Sequence, residues 1–355
     1  MSRRPHRSTF APVALLALGA FCGCASNAST PLEGRPLTPD EIEYQRQLEL
    51  SDHRPLDERG RSDLLIKLDQ NLENWHRARI EQIGAEDRRL VENLEEILQR
   101  TVYLNFDVIL GFLRDGDAPQ RAIAAAAIGF SRLKEPKDED ERRRFLERWP
   151  QVYERAIPLL VGQLDAPESY VVQNALLGLW KLGDPKTPLE PILVLVDSPD
   201  AEVRAMAVLA LSTVLTAETG ETAISALMNA LHDGSPKVRN HAVTAVGNIA
   251  HPNAAGRLAQ LLNDQYMLVQ ANAARSLGLL GNPRNIEFLL VRLETLEATK
   301  PSGKHRPVSG LDQRRALVAQ RLIESLEQLS GESYGDDVEK WRKWWDDEGR
   351  AAATG

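Results

Sequence analysis

Residues 233–247 read Asp233-Gly234-Ser235-Pro236-Lys237-Val238-Arg239-Asn240-His241-Ala242-Val243-Thr244-Ala245-Val246-Gly247. Asp-Gly-Ser is turn chemistry: the Asp and Ser side chains accept local backbone N–H bonds and Gly relaxes the backbone. Pro236 suits a first helical position, where its missing N–H would have had no partner. Ala242, Ala245 and Gly247 then keep one helix face small, which lets a neighbouring helix approach closely. Just upstream, Ile224, Leu227 and Leu231 carry the spacing of an apolar helix face. The unit is a bulky apolar helix, an Asp turn and a second helix of small residues.

The same unit recurs outward in both directions. Second helices read Arg121-Ala122-Ile123-Ala124 on to Ala127 and Gly129, Val172-Gln173-Asn174-Ala175 on to Gly178, and Arg204-Ala205-Met206-Ala207 on to Ala210. Beyond the opening stretch comes Gln270-Ala271-Asn272-Ala273, continuing to Ser276 and Gly278. A sixth copy from Gln313 sets Ala316 and Ala319 in register. Successive anchors lie 51, 32, 35, 31 and 43 residues apart, so the unit is near 32 and two intervals hold insertions. One insertion is the charged stretch Lys134 to Arg148; the other, Lys300 to Pro307, reads as a mobile loop. First helices supply bulk through Ile157, Leu160 and Leu164, Ile192 and Val196, Leu258, Leu261 and Leu262, and Ile286, Leu289, Leu290 and Leu293. Neither helix of a pair can bury its apolar face alone, so stacking must supply the core.

The pattern resembles the HEAT repeat family over about residues 106–330, in particular the short repeats of phycobilisome lyases. Such repeats commonly carry a turn Asp and a helix Arg, where this chain has Asp197 with Arg204 and Asp233 with Arg239. A structural role is expected for them: the Asp accepts backbone N–H bonds and the Arg links adjacent repeats. The resemblance implies an all-α fold, an α-solenoid of about five or six HEAT-like helix pairs. It does not imply phycobilin lyase activity, because one fold hosts many functions.

Helical flanks extend the array. Leu65, Leu68, Leu72 and Trp75 form one apolar stripe and Leu90, Leu94, Ile97 and Leu98 another, with Gly84 between two helices. This helical N-terminal extension is expected to cap the array; as a coiled-coil hairpin its seam fails at Arg79 and Asp87. At the other end a Gly-containing turn leads to Trp341, Trp344 and Trp345, which resembles the tail seen on many bacterial HEAT-repeat proteins. A Trp-rich C-terminal cap that seals the last repeat is expected, rather than a platform for a sugar ring.

The first residues have the layout of an export signal: Arg3, Arg4 and Arg7, then a largely apolar 12-residue stretch from Phe10 to Phe21, too short to span a bilayer. Gly23-Cys24 resembles the cleavage and lipidation point of a bacterial lipoprotein signal, with Phe21 and Cys22 as departures from its usual pattern. The resemblance implies lipidation at Cys24, a membrane anchor and an exported location in the bacterial cell envelope. Conventional cleavage near Ala25 or Ala28 is the alternative. Cys22 and Cys24 are the only cysteines, which leaves no disulfide framework or Cys-based metal site in the mature chain. Losing Met1 to Gly23 removes three arginines and no acid, taking the net charge from −8 to −11. That balance argues against nucleic acid as a partner. The sequence thus divides into a signal (1–23), the lipidated cysteine and a flexible tether (24–61, with a helix start at Thr38-Pro39-Asp40-Glu41) and the extension (62–105). HEAT-like repeats (106–297), a mobile loop (298–311) and the last repeat with its capping helix (312–355) complete it.

The chain lacks the common catalytic motifs. None of the seven histidines is followed by Glu, so the His-Glu pairs of HEAT-like iron hydroxylases are absent. No His-Glu-x-x-His, Gly-rich phosphate loop or Gly-x-Ser-x-Gly elbow occurs. The acid run Asp138 to Glu141 lacks the alternating ligands of a calcium loop. Neither a cofactor nor a metal is expected, and the expected activity is non-covalent binding of a protein partner. Second helices of this class line the concave side of the solenoid. Counting two and five places past the anchors nominates Asn174, Met206, His241, Thr244, Asn272 and Arg275 as a binding stripe. An accessory envelope enzyme and a self-associating structural protein are the alternatives.

Overall fold

A computed structural model describes residues 56–80, 85–131, 153–214, 221–298 and 310–354. The export segment, Cys24, the helix start at Thr38, Gly84 and the insertions at 134–148 and 300–307 lie outside the described residues. Among the described residues all regular structure is helical, and no helix is long and apolar enough to cross a membrane. The chain falls into two compact units, Met1–Leu182 and Gly183–Gly355.

In the first unit α1 (Glu58–Ile80) begins seven residues before Leu65, the first residue of the stripe, and Asp57 Oδ1 caps it by accepting the Gly60 N–H at 2.7 Å. Leu65, Leu68, Leu72 and Trp75 form its buried face. α2 (Ala85–Leu104) departs from expectation: Val91, Leu98 and Val102 are buried, while Leu90 and Ile97 are 48% and 41% exposed. Residues at i, i+7 and i+11 share one face, and the neighbouring helices occupy the side holding Val91. α3 (Phe106–Asp115) then pairs with α4 (Ala118–Ile128), which opens on a capping box between Asp117 and Gln120. A helix over 153–162 (α5) leads to α6 (Ser169–Leu182), and α4 stacks on α6.

The extension docks on the first repeat through a compact aromatic and charged cluster. Trp75 meets Phe130 edge to face at 5.0 Å, and its Nε1–H donates to Glu95 Oε1 at 3.0 Å. Lys181 donates to the same oxygen at 2.6 Å, and the Arg79 guanidinium lies 4.2 Å over the Trp180 ring. Burial pulls both Lys181 and Arg79 below their ordinary values, against the pull of Glu95.

The second unit repeats the pair. First helices are α7 (Glu190–Leu195), α9 (Glu221–Ala230), α11 (Ala255–Leu261) and α13 (Ile286–Ala298). Second helices are α8 (Ala201–Val214), α10 (Pro236–Ile249), α12 (Met267–Leu279) and α14 (Gly310–Ser330). α8, α10, α12 and α14 stack in that order, each packed on its own first helix. Small residues set the approach: a Cβ on Gly247 would stand 2.5 Å from Ser276 Cβ, and one on Gly278 would stand 2.9 Å from Ser325 Cβ. In that closeness Ser276 Oγ donates to Val243 O, and Ser325 Oγ to Ala274 O, each at 2.9 Å. Ser325 therefore occupies in α14 the place of Ser276 in α12. This corrects the sequence register: Ala319, not Gln313, matches Gln270, because α14 runs about a turn and a half further at its start.

The expected cap packs on α13. α15 (Val338–Trp344) buries Trp341, whose Nε1–H donates to Gly335 O at 2.9 Å; Trp345 is buried just beyond. Arg342 clamps Glu294 through Nε and Nη2 at 2.6 and 2.7 Å and reaches Glu287, which also accepts from Trp345 Nε1–H. Trp344 is half-buried against its two neighbours and the backbone of Gly349.

Candidate functional site

Fixed rungs join the second helices of the second unit at their first turns. Arg204 grips Asp233, in the next repeat's turn, through Nε at 2.8 Å and Nη2 at 3.0 Å; Arg239 grips Asp264 likewise at 2.8 and 2.9 Å. Each arginine's Nη1 donates to carbonyls of its own turn, those of Ser198 and Pro199 or of Asp233 and Gly234. Asp233 Oδ1 also accepts the Ser235 N–H at 2.7 Å. Burial acts to raise the Asp233 carboxyl, but these hydrogen bonds and the charges of Arg204 and Arg239 hold it below its ordinary range. The hydrogen bonds from Arg204 and Arg239 to their carboxylates raise both guanidinium values.

These rungs orient a row of side chains on the face that packing leaves open. On α10 His241 and Thr244 are half-buried; on α12 Asn272 is half-buried and Arg275 exposed. Asn272 Nδ2–H donates to Asn240 Oδ1 at 2.7 Å, and Thr244 Oγ donates to Asn240 O at 3.0 Å. Asn240 thus ties two nominated residues together. Not all of the stripe reaches the surface. Met206 is only 4% exposed, and in the first unit Asn174 is 5% exposed with its amide on Tyr170 O at 2.8 Å. Both belong to packing, because counting places along a helix cannot tell which face its neighbours cover.

Three members of the row escaped the count. Glu202 and Lys237 form an ion pair between α8 and α10, and Leu268 follows in the next repeat, 52% exposed. All three stand two places before their anchors, and opposite charges at that place in consecutive repeats were a readable signal. Imidazole, hydroxyl, amide and guanidinium groups together offer donors and acceptors beside one exposed leucine. Among the described residues no three His, Cys, Asp or Glu side chains are grouped to hold a metal ion.

The family described as HEAT repeats matches residues 157–233 and 224–298. Over these residues the chain is similar to HEAT repeats. Among solved structures the chain is similar to Escherichia coli YibA, at 16% identity over 89% of this chain and 100% of that one, with a TM-score of 0.45. It is similar at 18% identity to the CpcE–CpcF complex of phycocyanin lyase from Nostoc, over 86% and 100%, with a TM-score of 0.39. Human deoxyhypusine hydroxylase matches at 18% identity over 77% and 99%, with a TM-score of 0.27. No curated protein matches the chain in sequence.

Proposed function

We propose that this chain is a protein-binding scaffold of the bacterial cell envelope, anchored to a membrane by a lipid on Cys24 and working without catalysis. The observation that carries the binding role is the open face of α10 and α12. Buried small residues and the Arg–Asp rungs lock the helices together, so the groups they present are preorganised, and little ordering entropy is lost when a partner docks. Its mixture of hydrogen-bonding groups and an exposed leucine suits a protein surface. Export and lipidation are supported by the basic head, the short apolar stretch and Gly23-Cys24. A mature charge of −11, three positive charges below −8, favours protein over nucleic acid.

Crosslinking in intact cells, with the captured chain identified by mass spectrometry, tests the reading. His241→Ala combined with Arg275→Ala should lower the yield of the specific adduct about tenfold, roughly 1.4 kcal/mol of binding, with an unchanged melt. Equal capture by the double variant would remove this face from the function. Turnover of a co-purifying small molecule would favour an accessory enzyme instead.

A further inference from the structure

Charges on the open face of the second unit pair among themselves, with one exception. The row occupies the places two before, two after and five after each anchor on α8, α10, α12 and α14. Its acids are Glu202 and Glu324, and its cations are Lys237, Arg275 and Arg321. Glu202 pairs with Lys237. Glu324 accepts from Arg321 Nη1 at 2.7 Å and from Gln320 Nε2 at 2.8 Å, so both of its oxygens are used. Arg275 of α12 lies between these pairs, exposed, with no hydrogen bond or ion pair among the described residues. The row therefore carries one surplus positive charge, on a chain whose net charge is −8.

The same helix supplies an apolar group. Leu268 precedes Arg275 by two turns on one face of α12, and it is exposed. In the register set by Ser276 and Ser325, Leu317 of α14 takes the place of Leu268 and is half-buried. Two leucines thus stand at equivalent places on stacked helices, next to a guanidinium that lacks a carboxylate.

We propose that this part of the face docks an extended segment of a partner protein, seating a bulky apolar side chain on Leu268 and Leu317 and a carboxylate on Arg275. Seven residues of helix rise about 10 Å, which an extended chain covers in about three residues at roughly 3.3 Å each. The acid therefore stands three places from the apolar residue. Asn272 lies between the two ends, and its amide can meet main-chain groups that an extended segment exposes and a helix uses internally. A cation in place of the acid would meet Arg275 as a like charge, and a neutral residue would desolvate the guanidinium without pairing it. The inference rests on the scaffold reading and adds the chemistry of the partner to it.

The purified full-length chain is used to select from a phage-displayed library of random dodecapeptides. Peptides retained by the native chain should carry Asp or Glu three places from a large apolar residue. Against Arg275→Glu, first melted to establish folding, the selection should exchange that acid for Lys or Arg and keep the apolar residue. In fluorescence anisotropy a labelled acidic peptide from the first selection should bind Arg275→Glu about a hundredfold more weakly, and Leu268→Ser about tenfold more weakly. Should Arg275→Glu not fold, Arg275→Gln takes its place and should lose the preference for an acid. Retained peptides without an acid at that spacing overturn the docking, as does equal binding of the acidic peptide by the folded Arg275 variant. An acid seven places from the apolar residue would mean a helical partner and overturns the extended segment. No enrichment by a chain that still forms its crosslinked adduct in cells overturns this docking alone; no enrichment and no adduct overturns the scaffold reading with it.

Discussion

Asp233 receives the Arg204 guanidinium, from the repeat before it, on one side and the Ser235 N–H on the other. Its carboxyl is held below the unfolded value near 3.9, so its stabilising contribution is fully present above about pH 4 and is lost as the pH falls further. Asp233→Asn should cost about 1–3 kcal/mol at neutral pH, since it strips a partly buried guanidinium of its carboxylate. Between pH 5 and pH 3 the variant's melting temperature should also fall less than that of the native chain. Equal acid sensitivity in both proteins would refute this. Ala250 offers the opposite case. It ends α10 in the left-handed region at φ 54°, where a Cβ is disfavoured and glycine is not. Ala250→Gly is expected to stabilise by roughly 0.5–1 kcal/mol, read as a higher midpoint in a denaturant titration. An unchanged or lower midpoint would show that no strain is stored there.

Helix contacts depend on what is missing from side chains as much as on what is present. Gly247 and Gly278 sit where α12 and α14 respectively lie closest, and the serine opposite each donates to a carbonyl of the helix that carries the glycine. Gly247→Ala forces Ser276 and its backbone away and should cost about 1–3 kcal/mol. A melting temperature equal to the native one would mean the helices separate more easily than their packing suggests. The small-residue ladder was legible in sequence because close approach permits few residue types. The outward faces were not: Met206 and His241 hold equivalent places, yet one is buried and the other half-open, and Leu90 and Ile97 look like core but face outward. Which flank of an amphipathic helix is covered depends on neighbours that its own periodicity does not name. At the C-terminal end Trp345 is buried with its N–H on Glu287. Trp345→Ala should cost about 3–5 kcal/mol, with the cap loosening first in hydrogen exchange. Unaltered exchange across 338–354 would argue against a sealing role.

At the scale of the whole molecule, the proposed function joins a repeat array to a tether and an anchor. Cys24→Ala should release the chain from the membrane fraction and abolish incorporation of labelled fatty acid, leaving the melt of the repeats unchanged. Continued lipid incorporation in that variant would refute the anchor.

By itself the sequence determined that the chain is helical, that its helices come in pairs and that the pairs are HEAT-like. Periodicity, turn residues and small-residue spacing are local properties, repeated often enough to be read without coordinates. Only the tertiary structure decided the partners. It paired Arg204 with Asp233 and Arg239 with Asp264, set α14 in register through Ser325, and buried Met206 and Asn174 out of the stripe. Those outcomes depend on the rotation and offset of one helix against the next, set by packing between residues twenty-five or more places apart.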